Sequence, residues 1–332
     1  MKKIALLPDS VRKELFTATA LRIGIRLEAA EKDFWVCYML DHLFHDCSYK
    51  DLFVFKGGTS LSKSYHLIRR FSEDIDLVLD WRSLSKDNSD PWAQRSRSSQ
   101  ERYNKMINAE AAEFYVSRLM PALNSELEEE LKQRNLIKID PDDEMVINFF
   151  YPRLFDQSYL LPTIRLEIGP LAEWAPSHQT TIQPFAAEQY PHLFEKTTTD
   201  ILTVDAERTF WEKVTILHKL AHYPEGKNLP PRYARHLYDV YCMGHSPVKQ
   251  SAFSRKELLN QDILFNRKFY YSKSAHYESA TLSEIVLVPN RSILPALRSD
   301  YKAMENMIYG IVPVFDEVLN YLSELQDEIH SL

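Results

Sequence analysis

The sequence predicts an α+β fold, in which a mixed β-sheet flanked by helices is followed by a C-terminal helical domain. Short β-prone runs alternate with helical segments up to about residue 200, whereas helical periodicity dominates from Asp205 onward. The length of 332 residues suits two domains, which we place at 1–200 and 201–332. Seven glycines against seventeen prolines argue against a glycine-rich dinucleotide-binding fold.

Charge and cysteine content limit the kind of partner and compartment. A net charge of −7 excludes a whole-surface affinity for nucleic acid, so that any nucleic-acid partner needs a local basic stripe. Three cysteines without CxxC spacing are typical of a reducing cytosol. The N-terminal apolar run ends at Pro8 and Asp9, which is too short for a signal peptide, and no run is long enough to span a membrane. We therefore expect a soluble, cytoplasmic protein.

The N-terminal segment is predicted to contain helices followed by a strand and a tight turn. Apolar spacing predicts one or two helices over 10–47. The run DLFVF at 51–55 predicts a strand, and Lys56-Gly57-Gly58 after it predicts a sharp turn. A helix over 60–70 and a second strand over 75–79 are predicted next.

The rest of the chain contains a polar interruption and then further regular elements. A Ser-rich stretch over 82–102 predicts a loop. A long helix is predicted over about 101–134, and Pro121 should kink or split it because proline lacks the amide hydrogen. The remaining predicted elements are strands over 144–151 and 161–168, a helix from Asp205 to His222, a helix over 231–243 and two helices within 293–332.

The turn after the first strand has the composition of a phosphate-binding site. Gly57 and Gly58 carry no side chains, so that the backbone can approach a phosphate closely. The helix that follows presents unpaired amides and the positive end of its dipole to an anion, and the hydroxyls of Thr59 and Ser60 add donors. We therefore predict that Lys56 to Ser60 bind the phosphates of an NTP.

Two carboxylates on the second strand predict a metal site. Asp74 and Asp76 are two residues apart, so their side chains share one face of a strand while Ile75 points into the core. Two like charges this close repel each other unless a cation lies between them, and Mg²⁺ prefers carboxylate and phosphate oxygens. Either feature alone is common, but a glycine turn followed by an acidic strand predicts phosphoryl transfer.

These residues also carry a family resemblance. Gly58-Thr59-Ser60 followed by Asp74-Ile75-Asp76 resembles the G-[GT]-S…D-h-[DE] signature of the DNA polymerase β-like nucleotidyltransferase superfamily. The longer strings KGGTSLSK and FSEDIDL are similar to those of the AbiEii/AbiGii-type toxins of abortive-infection and toxin–antitoxin systems. The resemblance implies a polymerase-β-like domain that uses Mg²⁺ to transfer a nucleoside monophosphate from an NTP to an acceptor hydroxyl.

The resemblance also assigns three later residues to the active site. Members of the superfamily usually add a third carboxylate from a later strand, and Glu167 is the candidate; alternatively, it faces solvent beside Arg165. The strings RTFWEK and RHLYD resemble the toxin family, in which the lysine and the aspartate belong to the active site, which implies these roles for Lys213 and Asp239. The alternative for Asp239 is a surface ion pair with Arg235, four residues earlier. The helical domain is thus expected to contribute to the active site.

The partners follow from the same resemblance. It implies that the acceptor is the 3′ end of tRNA, that transfer blocks translation in phage defence, and that a cognate antitoxin protein counteracts the toxin. RNA binding would use local basic residues, chiefly those on the Ser-rich segment and beside the phosphate turn, together with some of the helical domain: Lys63, Arg69, Arg70, Arg95, Arg97, Arg102, Lys213, Lys219, Arg232 and Arg235. A cluster of charges of this kind is also common on a solvated surface.

Two other functions remain open on sequence grounds. Gly57 followed by Ser62-Lys63-Ser64 is one substitution from a Walker A loop, which would indicate a P-loop NTPase or kinase. A catalytically silent NTP-binding module that acts through a protein partner is the second. His42, His45, Asp46 and Cys47 invite a metal-site interpretation, but nothing downstream completes a zinc ligand set, so we expect a polar helix end.

Overall fold

The computed structural model describes residues 1–80, 82, 90–156, 160–171 and 175–332. Most of the first half of the predicted Ser-rich loop therefore lies outside the described residues. The chain divides into two units. The sheet unit comprises Met1–Ser64 and Phe71–Val204, and the helical unit comprises Tyr65–Arg70 and Asp205–Leu332. Within the described part of the chain, no helix has the length and apolar character needed to cross a bilayer.

The sheet unit contains a seven-stranded mixed sheet with the order β3-β4-β5-β2-β1-β7-β6. Its strands are β1 (Phe53–Lys56), β2 (Ile75–Leu79), β3 (Ile137–Ile139), β4 (Val146–Phe149), β5 (Ile164–Gly169), β6 (Ser177–Ile182) and β7 (Thr199–Val204). Strand β2 pairs antiparallel with β1 and parallel with β5, and β1 pairs parallel with β7. The mixed sheet and the helical second unit confirm the predicted α+β class.

The sequence predicted the orientation of the side chains best in β5. Ile164, Leu166 and Ile168 are buried and the residues between them are half-buried, which is the alternation the sequence predicted. The predicted strands over 51–55 and 144–151 also contain strands, β1 and β4, with shifted ends. The polar strand β6 and the short strand β3 were not predicted, because neither carries a strong period-two apolar pattern.

Among its described residues, the sheet unit also contains seven named α-helices, which precede the first strand or lie between strands in the chain. They are α1 (Lys2–Ala5), α2 (Asp9–Ile23), α3 (Leu27–Asp41), α4 (Gly57–Lys63), α5 (Arg97–Phe114), α6 (Met120–Leu131) and α7 (Phe185–Gln189). The predicted split at Pro121 is confirmed, since a π-helical turn over Tyr115–Leu119 separates α5 from α6 and Pro121 lies in the first turn of α6. The helix predicted over 60–70 is instead α4, which starts at the glycine turn and ends at Lys63.

Three consecutive charged residues of α3, Glu31, Lys32 and Asp33, are buried. Burying a charge is costly unless a partner compensates it. Asp33 has such a partner in Lys63 at the end of α4, with Nζ and Oδ1 2.7 Å apart. Burial alone would lower the pKa of Lys63, but the Asp33 carboxylate outweighs it and raises the pKa of Lys63 above its usual range. Helix α4 is therefore tied to α3 by a buried ion pair.

This ion pair rules out the P-loop alternative. A Walker A motif needs a loop between strand and helix and a lysine that reaches the phosphates. Here α4 begins at Gly57 directly after β1, and Lys63 is buried against Asp33 and the ring of Phe185, whose centroid lies 4.0 Å from Nζ. Lys63 is therefore also excluded from the predicted RNA-binding residues.

The helical unit contains α8 (Ala206–Ala221), α9 (Arg235–Gly244), α10 (Val248–Ser254), α11 (Glu257–Phe269), α12 (Leu294–Met304) and α13 (Phe315–His330). The predicted helices after residue 205 are confirmed, while α10 and α11 were not predicted. Asp205 occupies the N-cap position of α8, but its side chain does not cap the helix and pairs with Arg255 at 2.8 Å. The segment Tyr65–Arg70 belongs to this unit, where Arg70 forms a β-bridge with Ile308.

Replacing Lys63 by Met should lower the free energy of unfolding by about 3–5 kcal/mol, because it leaves the buried carboxylate of Asp33 without its cation. The double variant Asp33→Asn/Lys63→Met should recover most of this loss, since no net charge then remains buried. Urea unfolding followed by circular dichroism measures both. A single variant as stable as the parent would show that the ion pair does not form.

Candidate active site

The glycine turn is in direct contact with the carboxylate of Asp76. In the β1–β2 pairing, Lys56 lies opposite Asp76, and Gly57 follows with a φ of +80°. A Cβ atom added at Gly57 would lie 1.9 Å from Oδ2 of Asp76, far inside van der Waals contact. Only glycine satisfies both the left-handed backbone and this close approach.

The two hydroxyl residues of the turn hold its shape. Thr59 and Ser60 are buried, the Thr59 hydroxyl donates to the carbonyl oxygen of Asp74, and the Ser60 hydroxyl donates to that of Gly57 at 2.8 Å. Their hydrogens are thus used inside the protein, contrary to the expectation that they are donors to a phosphate. The groups of the turn that suit an anion are the main-chain amides of Gly57 and Gly58.

Three carboxylates share one face of the sheet. Asp76 of β2 lies beside Glu167 of β5 in the parallel register, so the two side chains point to the same face. Asp74 precedes β2 by one residue and is half-buried like Asp76, whereas Ile75 between them is fully buried. The sheet register therefore places Asp76 beside Glu167, and the alternation of burial along 73–76 places Asp74 on the same side of the chain as Asp76. The alternative neighbour of Glu167 is also present, since Arg165 lies 3.7 Å from it.

This donor set fits a divalent cation. The carboxylates offer only hard oxygen ligands, and three negative charges on adjacent positions repel one another without a cation. The side chain of Glu167 is 41% exposed, and the carboxylate of Asp76 fills the space above Gly57 that a side chain would need. The carboxylate of Glu167 is therefore accessible to solvent beside Asp76, which contacts the glycine turn.

A second cluster of charges lies within the helical unit and centres on Asp239. This aspartate is fully buried and accepts two hydrogen bonds from Arg70, at 2.7 and 2.8 Å. It also forms an ion pair with Lys213, whose Nζ lies 2.7 Å from Oδ2. Burial alone would raise the pKa of Asp239, but the two cations hold it well below its usual range. The alternative of a surface ion pair with Arg235 is therefore wrong. Arg70 is a member of this cluster that the sequence interpretation had placed among RNA contacts.

The cluster brings two cations to one carboxylate. Burial lowers the pKa of Lys213, and the neighbouring cations of Arg70 and Arg235 add to this effect, although Asp239 acts against it. Oδ1 of Asp239 accepts from Arg70, and Oδ2 contacts both Arg70 and Lys213. The carboxylate of Asp239 therefore holds the side chains of Arg70 and Lys213 close together.

Comparison with known proteins decides the family. A family profile described as "Nucleotidyl transferase AbiEii toxin, Type IV TA system" matches residues 39–321, which is most of the chain. The chain belongs to the AbiEii nucleotidyl transferase toxin family. The resemblance predicted from the turn and the acidic strand is thereby confirmed.

Comparison with solved structures gives a weaker similarity than the family profile does. A solved structure of MenT4, a nucleotidyltransferase toxin from Mycobacterium tuberculosis H37Rv, is similar over 97% of this chain and 99% of that chain, with 14% identity and a TM-score of 0.44. Among curated protein sequences, none is significantly similar to this AbiEii-family chain.

The histidine-containing helix end of this AbiEii-family protein forms an ion-pair network. Both ring nitrogens of His42 contact carboxylates, those of Glu126 at 3.0 Å and Glu130 at 3.2 Å. His42, Asp46 and Glu130 have ligand atoms within 4.8 Å of one another, but the ammonium of Lys2 pairs with Asp46 and Glu130 there. The ammonium of Lys2 therefore occupies a position beside these carboxylates that a metal ion would need. The polar helix end that we expected continues α3 as a π-helical turn.

Several of the predicted RNA-binding arginines have structural roles instead. Arg70 is buried against Asp239, and Arg95 donates to the carbonyl oxygens of Asp90 and Pro91 while lying 4.0 Å from the ring centroid of Tyr103. The exposed members of the predicted set are Arg69, Arg97 and Arg102.

Replacing Gly57 by Ala should lower nucleotidyl transfer by about 100-fold or more, because a methyl group there must displace the Asp76 carboxylate by about 1 Å. Gly24→Ala is the matched control: its φ is +72°, but nothing lies within 4 Å of an added Cβ. Both variants should lose about 1–3 kcal/mol of stability from backbone strain. Equal activity in the two variants, measured at matched folded fractions, would show that the Gly57–Asp76 contact does not matter for catalysis.

Proposed function

We propose that this chain is a Mg²⁺-dependent toxin that transfers a nucleoside monophosphate from an NTP to the 3′-terminal hydroxyl of tRNA, in the cytoplasm and under control of a cognate antitoxin. The observation that carries the proposal is the Asp76 carboxylate, which is packed against the backbone of Gly57 and lies in register with Glu167. An anion-binding turn and a metal-binding carboxylate set are thus adjacent, as the transfer of a phosphoryl group requires.

In this proposal Asp74, Asp76 and Glu167 hold the metal, whose chemistry is to neutralise the charge of the triphosphate and to polarise the α-phosphate. The amides of Gly57 and Gly58 bind phosphate oxygens, since no side chain separates the backbone from the ligand. The acceptor oxygen forms a bond to the α-phosphorus while the bond to the bridging oxygen breaks. Pyrophosphate leaves with that electron pair, and the hydroxyl proton is released to water.

In the same proposal, the Asp239 cluster stabilises the negative charge of the phosphates. Lys213 has the charge to stabilise negative charge that develops on the phosphates, and a bound anion would offset the burial that lowers its pKa. Asp239 orients Lys213 through the 2.7 Å ion pair and is itself a positioning residue. Arg70 shares Asp239 with Lys213 and keeps its carboxylate ionised.

The acceptor is assigned to RNA on the family resemblance and on local charge. The net charge of −7 would repel a polyanion as a whole, so the exposed arginines at 69, 97 and 102 are the proposed phosphate contacts. A protein or small-molecule acceptor would give transfer whose rate is insensitive to salt, whereas RNA binding should weaken steeply as salt rises.

Incubation with each α-labelled NTP, Mg²⁺ and total tRNA should place label on the RNA. Asp76→Asn should reduce this transfer by about 100-fold or more, because it removes charge that holds the metal but little volume. Asp80→Asn is the matched control, since Asp80 directly follows β2, four residues beyond Asp76, and its carboxylate pairs with Arg82 at 2.8 Å. NTP binding without label on any acceptor would instead favour the catalytically silent binding module.

Lys213→Met should lower kcat/KM by about 2–4 kcal/mol of transition-state free energy. The fold should survive, because Asp239 keeps both hydrogen bonds from Arg70 and is not left as an unpaired buried charge. Lys302→Met, at an exposed position of α12, serves as the control and should leave kcat/KM unchanged. Single-turnover rates that are equal in the parent and in Lys213→Met would remove Lys213 from the site.

A further inference from the structure

A buried ion pair lies one residue before the first active-site carboxylate. Lys32 of α3 and Glu73 have side chains that are 0% and 1% exposed, and Nζ lies 2.5 Å from Oε2. The same ammonium donates to the carbonyl oxygen of Leu161 at 2.9 Å, and the amide of Leu161 donates to Oε2 of Glu73 at 3.0 Å. The three groups form a closed triangle of hydrogen bonds, and each of these bonds involves the ammonium of Lys32 or the carboxylate of Glu73.

The triangle joins the segments that lead into the two carboxylate-bearing strands. Glu73 precedes Asp74 and β2, whereas Leu161 precedes β5, the strand of Glu167. These strands pair in the parallel register that sets Asp76 beside Glu167. A bond network at the entry of both strands therefore fixes the register on which the spacing of the carboxylates depends.

Glu73 also sets the direction of its neighbours. Exposure alternates along this stretch: Glu73 and Ile75 are buried, and Asp74 and Asp76 between and after them are half-buried. With Glu73 fixed on the core side, the aspartates must point to the opposite side of the chain. The Thr59 hydroxyl, which donates to the carbonyl oxygen of Asp74, holds the same residue from the side of α4.

Stability alone does not account for this pair. Two buried charges cost several kcal/mol each to remove from water, and apolar side chains of the same volume often give an equal or more stable core. What the ion pair adds over an apolar contact is direction, because an ammonium with two fixed acceptors tolerates little displacement of either one.

We propose that Lys32 and Glu73 are positioning residues that set the spacing of Asp74, Asp76 and Glu167 for a divalent cation. The proposal rests on the proposed function, because it takes those carboxylates as the metal ligands. Loss of the pair should weaken metal binding although every ligand is still present. Residues that orient metal ligands typically contribute 10–100-fold to metal affinity.

The test is direct binding of Mn²⁺ to the full-length protein without nucleotide, followed by electron paramagnetic resonance of the free ion. The double variant Lys32→Met/Glu73→Gln removes both charges at nearly constant volume, and the glutamine still accepts the Leu161 amide. Its Kd for Mn²⁺ should rise by about 10-fold or more. Its circular dichroism spectrum should match that of the parent, since no charge is left buried without a partner.

The matched control is the buried pair of Arg208 and Asp262 in the helical unit, with side chains 0% and 3% exposed and nitrogen and oxygen 3.1 Å apart. Arg208→Met/Asp262→Asn removes this ion pair from helices other than the carboxylate strands, and its Kd for Mn²⁺ should equal that of the parent. Arg208 also pairs with Glu212 at 3.3 Å, but the Glu212 side chain is 17% exposed and remains in contact with water in the variant. If Lys32→Met/Glu73→Gln does not fold, Lys32→Gln/Glu73→Gln replaces it, because this pair is also uncharged but can keep a side-chain hydrogen bond, and weaker Mn²⁺ binding is again expected.

The outcomes separate this proposal from the proposed function. A folded Lys32→Met/Glu73→Gln variant that binds Mn²⁺ as tightly as the parent, while Asp76→Asn binds it weakly, overturns the positioning role and leaves the metal site intact. Equal weakening in the Arg208 control overturns it as well, because the effect is then one of general stability. A parent protein that binds no Mn²⁺ overturns both proposals together.

Discussion

The arrangement of the sheet unit depends on one close contact, the Asp76 carboxylate against the backbone of Gly57. Because Oδ2 fills the space where a Cβ would be, β1 and β2 can pair opposite Lys56 only if the next residue is glycine with positive φ. That conformation in turn starts α4 without an intervening loop. The same carboxylate lies beside Glu167 on the neighbouring strand, so its position also decides the distance between two like charges. The glycine turn and the acidic face therefore meet at one steric constraint, the space that the Asp76 carboxylate takes beside Gly57.

Buried charges are compensated by different kinds of partner in this molecule. Asp33 pairs with Lys63 at 2.7 Å, and this ion pair holds α3 and α4 together. The buried carboxylate of Glu31 instead accepts from the main-chain amides of Leu154 and Phe155. Asp239 accepts from both Arg70 and Lys213, so that one carboxylate fixes two cationic side chains relative to each other. Removing Asp239 would therefore leave two buried cations without this partner, which is more costly than breaking a single pair.

The sequence was informative wherever local periodicity decides structure. The alternation in β5 and the spacing of Asp74 and Asp76 follow from strand geometry alone, and both carboxylates lie where that geometry places them. The charged run of α3 was missed, because charged residues in a helix ordinarily face water and nothing local signals that Lys32 is buried. Arg70 was misjudged for a related reason: its partner Asp239 is 169 residues away, and no pattern in either segment reveals the pair. Polar strand β6 lacked any apolar period.

The course of the chain around the acidic strand explains why separate anchors are needed there. After α4 the chain leaves the sheet unit, contributes Tyr65–Arg70 to the helical unit and returns at Phe71. Arg70, bound to Asp239, is therefore only four residues from Asp74 along the chain. Glu73 lies within that stretch and is fixed to Lys32. A buried ion pair at this point fixes Asp74 to the core of the sheet unit, so that its position is set locally even though the chain before it belongs to another unit. A hydrophobic residue at position 73 could also be buried. It would resist a shift of β2 along its own axis far less than the ion pair does, because apolar contacts have no preferred direction.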